Sequence, residues 1–397
     1  MKKYLLTVIP ILFRYSLLAQ QTITLHVDPD NSRGGTSTEI FDSIIFIPLE
    51  TTKESLFGSI DQLEVTDSLL IILDISGRSM LFFNRNGTFR YKVTTGGIDK
   101  YFYYFAVDRL AKEIIVTNNY AKGLLIYDWN GKFLRKEPCP EEILSLYIFS
   151  GGNILYNRRR KARLEPSDHT LYDLAYSKGY DSITKNLNPY NARNEDGEFN
   201  IGGNTFNFSG EAGSCMFSLP YDYTIYQLND TGIVIKYRFI FPLLYSLPVN
   251  FSTDAAYRTI RAQNAYLNPG YKSTFTALER GYKYGEYLLF SAFSRRTSES
   301  ADYNFAYSLH SGTLISFSRV TADSSSYFLP ILSGQIQKIE AIYKGNIFSS
   351  IPGFRLFSVK SSLDKKVAYP KALEQYFKSG NRSDNSVIIQ FKLKPGL

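Results

Sequence analysis

Few side chains in this sequence are of a kind that does chemistry, and they are scattered. His26, His169 and His310 are its three histidines, and Cys139 and Cys215 its two cysteines. None stands at ligand spacing from another, so a zinc site has no material. Asp67, Asp74, Asp108, Asp128, Asp173 and Asp222 each sit at the end of an apolar run, where a carboxylate capping a turn accounts for them without catalysis. The sequence has neither a Gly-x-Ser-x-Gly nucleophile elbow nor a phosphate loop ending in Lys-Ser/Thr. Its paired glycines in "GGIDKYF" and "SGGNIL" read as turns. No catalytic residue and no cofactor is therefore assigned, and calcium on loop carboxylates stays open without a motif behind it.

Two stretches have a binding character instead. "NRRRKAR", residues 157–163, carries Arg158, Arg159 and Arg160 in a run of five cations. Such a run suits a sulfated or uronic-acid glycan, a lipid headgroup or a nucleic acid, although on a strand edge it also serves as a solvated surface that deters pairing. Nucleic acid is set aside because an exported protein rarely meets it. "KYFYYF", residues 100–105, carries Tyr101, Tyr103 and Tyr104. Strand alternation places Phe102 and Tyr104 on one face, opposite Tyr101, Tyr103 and Phe105. Aromatics on both faces fit packing between two sheets, and the same rings could stack a sugar, with phenol hydroxyls as hydrogen-bond partners.

The elements that must position these residues are strands. With 31 Tyr, 29 Phe and 44% hydrophobic residues, the composition favours pleated, half-buried surfaces. Residues 70–93 align without a gap on residues 114–137, with Ile71/Ile115, Leu81/Leu125, Asn86/Asn130, Gly87/Gly131 and Phe89/Phe133 identical. A self-match at a period in the 40s marks a propeller blade. Within it, "LLIILDIS" and "SMLFFNR" read as strands, and Asn86-Gly87 as a two-residue hairpin turn. A preceding strand, "SIDQLEVTD" or "YYFAVDRL", completes four per unit.

Later units are degenerate. They run "SLYIFSGG", "NILYNRRR", "TLYDLAYSKG", "SITKNL"; then "SCMFSLP", "YTIYQLNDTG", "IVIKYRFIF"; then "EYLLFSAFS", "NFAYSLHSG", "TLISFSRV". A sixth unit has "YFLPILSG" and "GNIFSSIP", and its missing strands are expected at the two chain ends, "SVIIQFKLK" pairing with "SIIFIPLE" to close the ring. Residues 188–209 read as a loop insertion. Residues 254–284 read as a partly helical decoration with an N-cap at Ser252 or Thr253, and residues 370–378 as a second short helix. The expected fold is all-β, a six-bladed β-propeller of four-stranded antiparallel blades.

The first residues follow the charged, apolar and cleavage order of a secretory signal peptide, with "YLLTVIPILF" too short to span a bilayer. The expected organisation is a leader over 1–19, an N-terminal extension over 20–42 and one propeller over 43–397. With no cysteine near the cleavage point, a lipoprotein is not expected. The formal charge of +8 falls by three when Lys2, Lys3 and Arg14 leave with the leader, which is weak ground for a polyanionic partner. An oxidising compartment would allow Cys139 and Cys215 to pair, but two thiols 76 positions apart read first as buried small residues.

"IILDISGRSMLFFNRNGTFRYKV" and "IIVTNNYAKGLLIYDWNGKFLRKE" resemble the NHL repeat. From residue 40 to 394, the order of "IFDSIIFIPLE", "PYDYTIYQLNDTGI", "EYLLFSAF" and "NSVIIQFKLK" resembles the exported six-bladed β-propeller proteins of Bacteroidetes. That resemblance implies a propeller, export to the periplasm or cell surface, and a binding role, and it brings no catalytic residues. The inter-blade loop "TTGGIDKYFYY" departs from the Gly-Pro-Gly-Glu-like loop usual there. The expected function is a non-enzymatic binding or scaffold module for a glycan, peptide or protein partner. A hydrolase or lyase at the channel mouth, calcium-assisted or not, is the alternative.

Overall fold

All six residues of Leu69–Asp74 are buried, and a strand hides consecutive side chains only when both of its faces are covered. Their neighbours explain how. Leu70 and Ile72 pack with Ile47, Phe348 and Ile388 on one side, while Leu69, Ile71 and Leu73 pack with Phe105, Ile114 and Val116 on the other. Repeated around the chain, this sandwiching yields a ring.

The computed structural model describes residues 21–95, 102–118, 123–139, 142–158, 170–191, 206–262, 268–271, 273–294, 303–332, 338–364 and 366–397. The leader over 1–19 lies outside them. In chain order, the N-terminal segment forms β1 (Gln21–His26), β2 (Arg33–Thr36), α1 (Ser37–Ile40) and β3 (Phe41–Pro48). Blade one is β4 (Gln62–Val65), β5 (Leu69–Asp74), β6 (Ser79–Asn84) and β7 (Phe89–Thr94). Blade two is β8 (Phe102–Asp108), β9 (Glu113–Asn118), β10 (Leu124–Asp128) and β11 (Phe133–Glu137). Blade three is β12 (Ile143–Ile148), β13 (Asn153–Arg158), β14 (Thr170–Lys178) and β15 (Ser182–Asn191). Blade four is β16 (Asn207–Phe208), β17 (Ser214–Ser218), β18 (Thr224–Asn229) and β19 (Ile233–Ile240), followed by α2 (Arg258–Ala262). Blade five is β20 (Ala277–Tyr284), β21 (Tyr287–Phe293), β22 (Tyr303–Ser308) and β23 (Leu314–Thr321). Blade six is β24 (Ile339–Tyr343), β25 (Asn346–Ile351) and, after α3 (Gly353–Ser361) and α4 (Lys371–Ser379), β26 (Val387–Leu393), with β3 as its outer strand.

Closure is as expected, with β26 antiparallel to β3 from Val387 opposite Pro48 to Leu393 opposite Phe41. The segment ahead of it is part of the ring too. β1 adds parallel to β19 of blade four and β2 adds parallel to β23 of blade five, so residues 21–48 lie along three successive outer edges and cover strands that would otherwise be open templates. Asp323 ties this belt down by accepting from Thr38 N at 2.9 Å while capping the turn at Ser325. Burial works against its charge, but these hydrogen bonds hold the carboxyl below its ordinary value.

Several expectations are corrected. The blade-one hairpin is not a two-residue turn with both central residues at positive φ. Gly87 N donates to Asn84 O at 2.9 Å and Gly87 alone of the pair has positive φ, at 90°, the pattern of a type I turn closed by a glycine bulge. A Cβ at Gly87 would lie 2.0 Å from Pro48 O, so close contact with blade six also demands glycine. Residues 327–332 of "YFLPILSG", the part that lies within the described residues, form no strand, and the inner strand of blade six is "IEAIY" at Ile339–Tyr343. Within residues 188–209 lies β16, and within 254–284 lies β20. The short helical segment over 255–262 is capped by Asp254, whose side chain accepts from Ala256 N, rather than by Ser252 or Thr253. The second expected helix is present as α4.

No disulfide joins Cys139 and Cys215; both are buried, in separate inter-blade cores. Burial pushes the Cys215 thiol well up. Among the described residues no helix is long and apolar enough to cross a membrane.

Candidate functional site

Each blade turns its first strand inward, and the ends of these strands together with the turns that follow them enclose a cavity of about 1110 Å³ lined from all six blades. Glu64 comes from β4, Tyr104 and Arg109 from β8 and its turn, Tyr147 from β12, Phe208 from β16, Tyr284 from β20, and Tyr343 from β24. Leu393 at the end of β26 and residues 394–396 beyond it complete the wall.

Side chains lace the rim from blade to blade. Gln62 donates to Phe105 O at 2.7 Å and accepts from Phe105 N at 3.1 Å, joining blades one and two. The Tyr147 hydroxyl donates to Ser214 O at 3.1 Å, joining three to four, and Tyr284 donates to Gly345 O at 3.1 Å, joining five to six. Lys283 pairs with Glu211 and Lys344 with Asp67, which joins five to four and six to one. Arg109 reaches furthest, donating to Val65 O at 3.0 Å and Glu64 Oε2 at 3.1 Å while its guanidinium lies 5.0 Å over the Tyr343 ring. One side chain thus bridges blades two, one and six.

Bulges in the inner strands help aim these groups. Register shifts fall between Phe102 and Tyr104, Ile143 and Ser145, Glu279 and Tyr282, and Ile339 and Ala341, and a bulge bends a strand and turns a side chain out of alternation. In β8 the extra residue is Tyr103. Phe102 and Phe105 therefore pack together towards blade one, while Tyr104 faces the core shared with blade three. This corrects the alternation that put Phe102 and Tyr104 on one face. In β20 and β24 the bulges join Arg280, at φ 53°, to Glu340 at 3.1 Å. Glu340 also accepts from Ser350 at 3.1 Å.

The electrostatics of the cavity are those of neutralised pairs. Glu64 keeps 31% side-chain exposure to the cavity but is surrounded by protein, so burial raises its carboxyl above the ordinary value, with Arg109 pulling the other way. Burial raises the Tyr104 and Tyr147 phenols, with the Glu64 charge adding to it, so both stay neutral hydrogen-bonding groups. Asp108 caps its turn by accepting from Leu110 N and Ala111 N, each at 2.9 Å. Asp74 and Asp128 cap theirs in the same manner. Asp67 pairs with Lys344, Asp173 accepts from Asn188 at 2.6 Å, and Asp222 accepts from the Tyr226 hydroxyl at 2.7 Å. Among the described residues, no three His, Cys, Asp or Glu side chains gather in a way that would hold a metal ion.

Of the residues singled out from sequence, Tyr104 is on the cavity wall, buried with 6% exposure. Tyr103 is 43% exposed on the bulge. Arg158 ends β13, opposite Ile143 and away from the lining residues. Tyr101, Arg159 and Arg160 lie outside the described residues. Glu64, Arg109, Tyr147, Tyr284 and Tyr343 were not singled out. The signal available for them was position, since each falls within one residue of the end of the inner strand of its unit.

Six four-stranded antiparallel blades around a lined central cavity define a six-bladed β-propeller. Residues 21–392 match one family across nearly the whole chain, and the protein belongs to it: the domain of unknown function DUF4934. A search of curated proteins gave no match. Among solved structures, the chain is similar to a Bacteroides fragilis protein named as exported, at 16% identity and a TM-score of 0.66, covering 94% of this chain and 100% of that one. It is also similar to a member of the DUF4221 family from Bacteroides vulgatus, at 13% identity and a TM-score of 0.50, covering 90% and 98%. At these identities the likeness is one of fold.

Proposed function

We propose that this protein is an exported binding or scaffold propeller that takes a glycan, peptide or protein partner at its central cavity. The observation that carries this reading is the lacing of the rim. Five of the six blade junctions are tied by side chains around one cavity, and a site held in shape before its ligand arrives loses less freedom on binding. Glu64, Arg109, Lys283 and Lys344 in the wall are pinned in ion pairs and Asp108 in a turn cap, an arrangement that suits recognition better than proton transfer. Export is supported by the apolar N-terminal run behind Lys2 and Lys3 and by a structural relative that is itself named as exported.

The test is a thermal-shift screen of the chain from residue 20 onward against glycans, peptides and divalent ions, repeated with Ala212→Trp. Ala212 is exposed on the cavity wall, so an indole there fills the cavity without removing a tie. Ligands that raise the melting temperature of the parent and not of Ala212→Trp support the reading. Ligands that stabilise both equally place binding elsewhere and overturn it.

A further inference from the structure

We propose that the cavity takes a neutral oligosaccharide, with sugar rings stacked on Tyr147 and Tyr284 and hydroxyls read by the Glu64–Arg109 pair. This deepens, and rests on, the binding reading above.

The first argument is the state of the aromatic residues. Tyr147 and Tyr284 are half-buried in the wall, and their hydroxyls are spent on Ser214 O and Gly345 O. What each offers the cavity is ring surface, fixed in orientation by a bond at its far end. Tyr343 plays a different part, with Arg109, Lys344 and Arg85 lying 5.0, 5.6 and 5.9 Å from its centroid, so that its ring faces are taken by cations and help to hold Arg109 in place. Rigid aromatic faces suit the apolar C–H face of a pyranose, which stacks without giving up its hydroxyls' hydrogen bonds.

The second argument is charge. Of the four cations in the wall, Arg109, Lys283 and Lys344 already have carboxylate partners, while Lys394 has none among the described residues, and Glu286 accepts from Gly396 N at 3.1 Å. An anionic or cationic ligand seated at the Glu64–Arg109 pair would have to compete for one of its members, and stripping that member leaves the other uncompensated. A hydroxyl-rich neutral ligand does not compete. It can donate to Glu64 Oε1, which has no protein partner among the described residues, and accept from guanidinium hydrogens that Arg109 does not spend on Val65 and Glu64. Hydrogen bonds to charged groups are the stronger kind, so a salt-bridged pair can read hydroxyls while staying paired.

The third argument is size. A volume of about 1110 Å³ stands at the upper limit of small-molecule sites, roughly 300–1,000 Å³, which gives room for several linked rings. The walls come from six different blades, so successive rings would meet different aromatic faces.

The experiment is a glycan array spanning neutral and anionic structures, probed with the chain from residue 20 onward, followed by calorimetric titration of the best hits. Titrations are repeated with Tyr147→Ala, Tyr147→Phe, Tyr284→Ala and Glu64→Gln, each checked for an intact fold by circular dichroism. Neutral oligosaccharides should dominate the hits. Tyr147→Ala and Tyr284→Ala should weaken the best of them at least tenfold, and Glu64→Gln severalfold, while Tyr147→Phe, which keeps the ring, should stay within threefold of the parent. Hits confined to anionic glycans, or an empty array alongside peptides whose binding Tyr147→Ala abolishes, would overturn the oligosaccharide assignment and leave the binding propeller standing. Binding of any class that is indifferent to Tyr147, Tyr284 and Ala212→Trp would overturn both.

Discussion

The middle strands of blade one and the inner strands of blades five and six are built on opposite plans. β5 and β6 are regular, apolar and sandwiched. Phe82, fully buried, stacks on Tyr91 at 4.2 Å between centroids, and the strands pair without a break until the turn. β20 and β24 are bulged and carry charge, with Arg280 and Glu340 joined between blades five and six and Glu279 held in protein. Both kinds of strand are packed on two sides, but only the inner ones border a space that must be kept open. The regular strands supply the ring's cohesion, and the irregular ones use polar ties to keep its centre from collapsing.

The sharpest way to break the contrast is to damage each plan with one substitution. Phe82→Ala leaves a cavity between blades one and two and should cost about 3–5 kcal/mol by chemical denaturation. Glu340→Ala strips Arg280 of its carboxylate in an enclosed setting and should cost a similar amount, about 3–5 kcal/mol. The two differ in their repair. Adding Arg280→Met to Glu340→Ala should recover part of the loss, because a buried charge is no longer stranded, whereas no second polar change rescues Phe82→Ala. A mild effect of Glu340→Ala would show that the inner strands are not held by their charges.

Gly87→Ala probes the hairpin that joins the regular plan to blade six. Positive φ and a Cβ 2.0 Å from Pro48 O predict a loss of about 1–3 kcal/mol. Tyr147→Phe removes one rim tie and should cost about 0.5–1.5 kcal/mol.

Glu64→Gln gives the smallest effect and the most informative sign. Because burial raises the Glu64 carboxyl in the folded chain, the folded state holds that proton more tightly than the unfolded one. The parent therefore loses stability as pH rises through the carboxylate range, and the glutamine variant does not. The melting temperature of Glu64→Gln relative to the parent should increase between about pH 4 and about pH 7. A decrease over that interval would mean that the Arg109 pair outweighs burial.

The same contrast explains what could be read from the sequence. Where packing alone sets the residues, as in Ile71/Ile115 and Leu81/Leu125, the repeat is visible and with it the blade count and the strand pairing that closes the ring. Where the cavity sets them, the pattern dissolves. β20 holds Glu279-Arg280-Gly281 in mid-strand, which breaks the alternation that would have marked it, and β16 is only two residues long. β24 carries Glu340 in mid-strand, where a buried carboxylate blurs an apolar pattern and makes sense only through its partner Arg280 in blade five. The belt of β1 and β2 was hidden for a different reason. Its partners, β19 and β23, lie more than 200 positions away, and parallel pairing at an outer edge leaves no hairpin signature. Tyr104 was legible as an aromatic with two candidate uses. Arg109 was not, because its meaning depends on three blades meeting.

The central claim is that the laced cavity is where this propeller binds. Hydrogen–deuterium exchange, measured with and without the tightest-binding oligosaccharide from the array, tests it most directly. The account predicts slowed exchange in residues 104–110, 146–150, 283–287 and 342–345, which line the cavity in blades two, three, five and six, with the outer strands β7, β11 and β15 unchanged. Protection confined to those outer strands, or to the belt over residues 21–36, with the cavity segments unaffected, would contradict it.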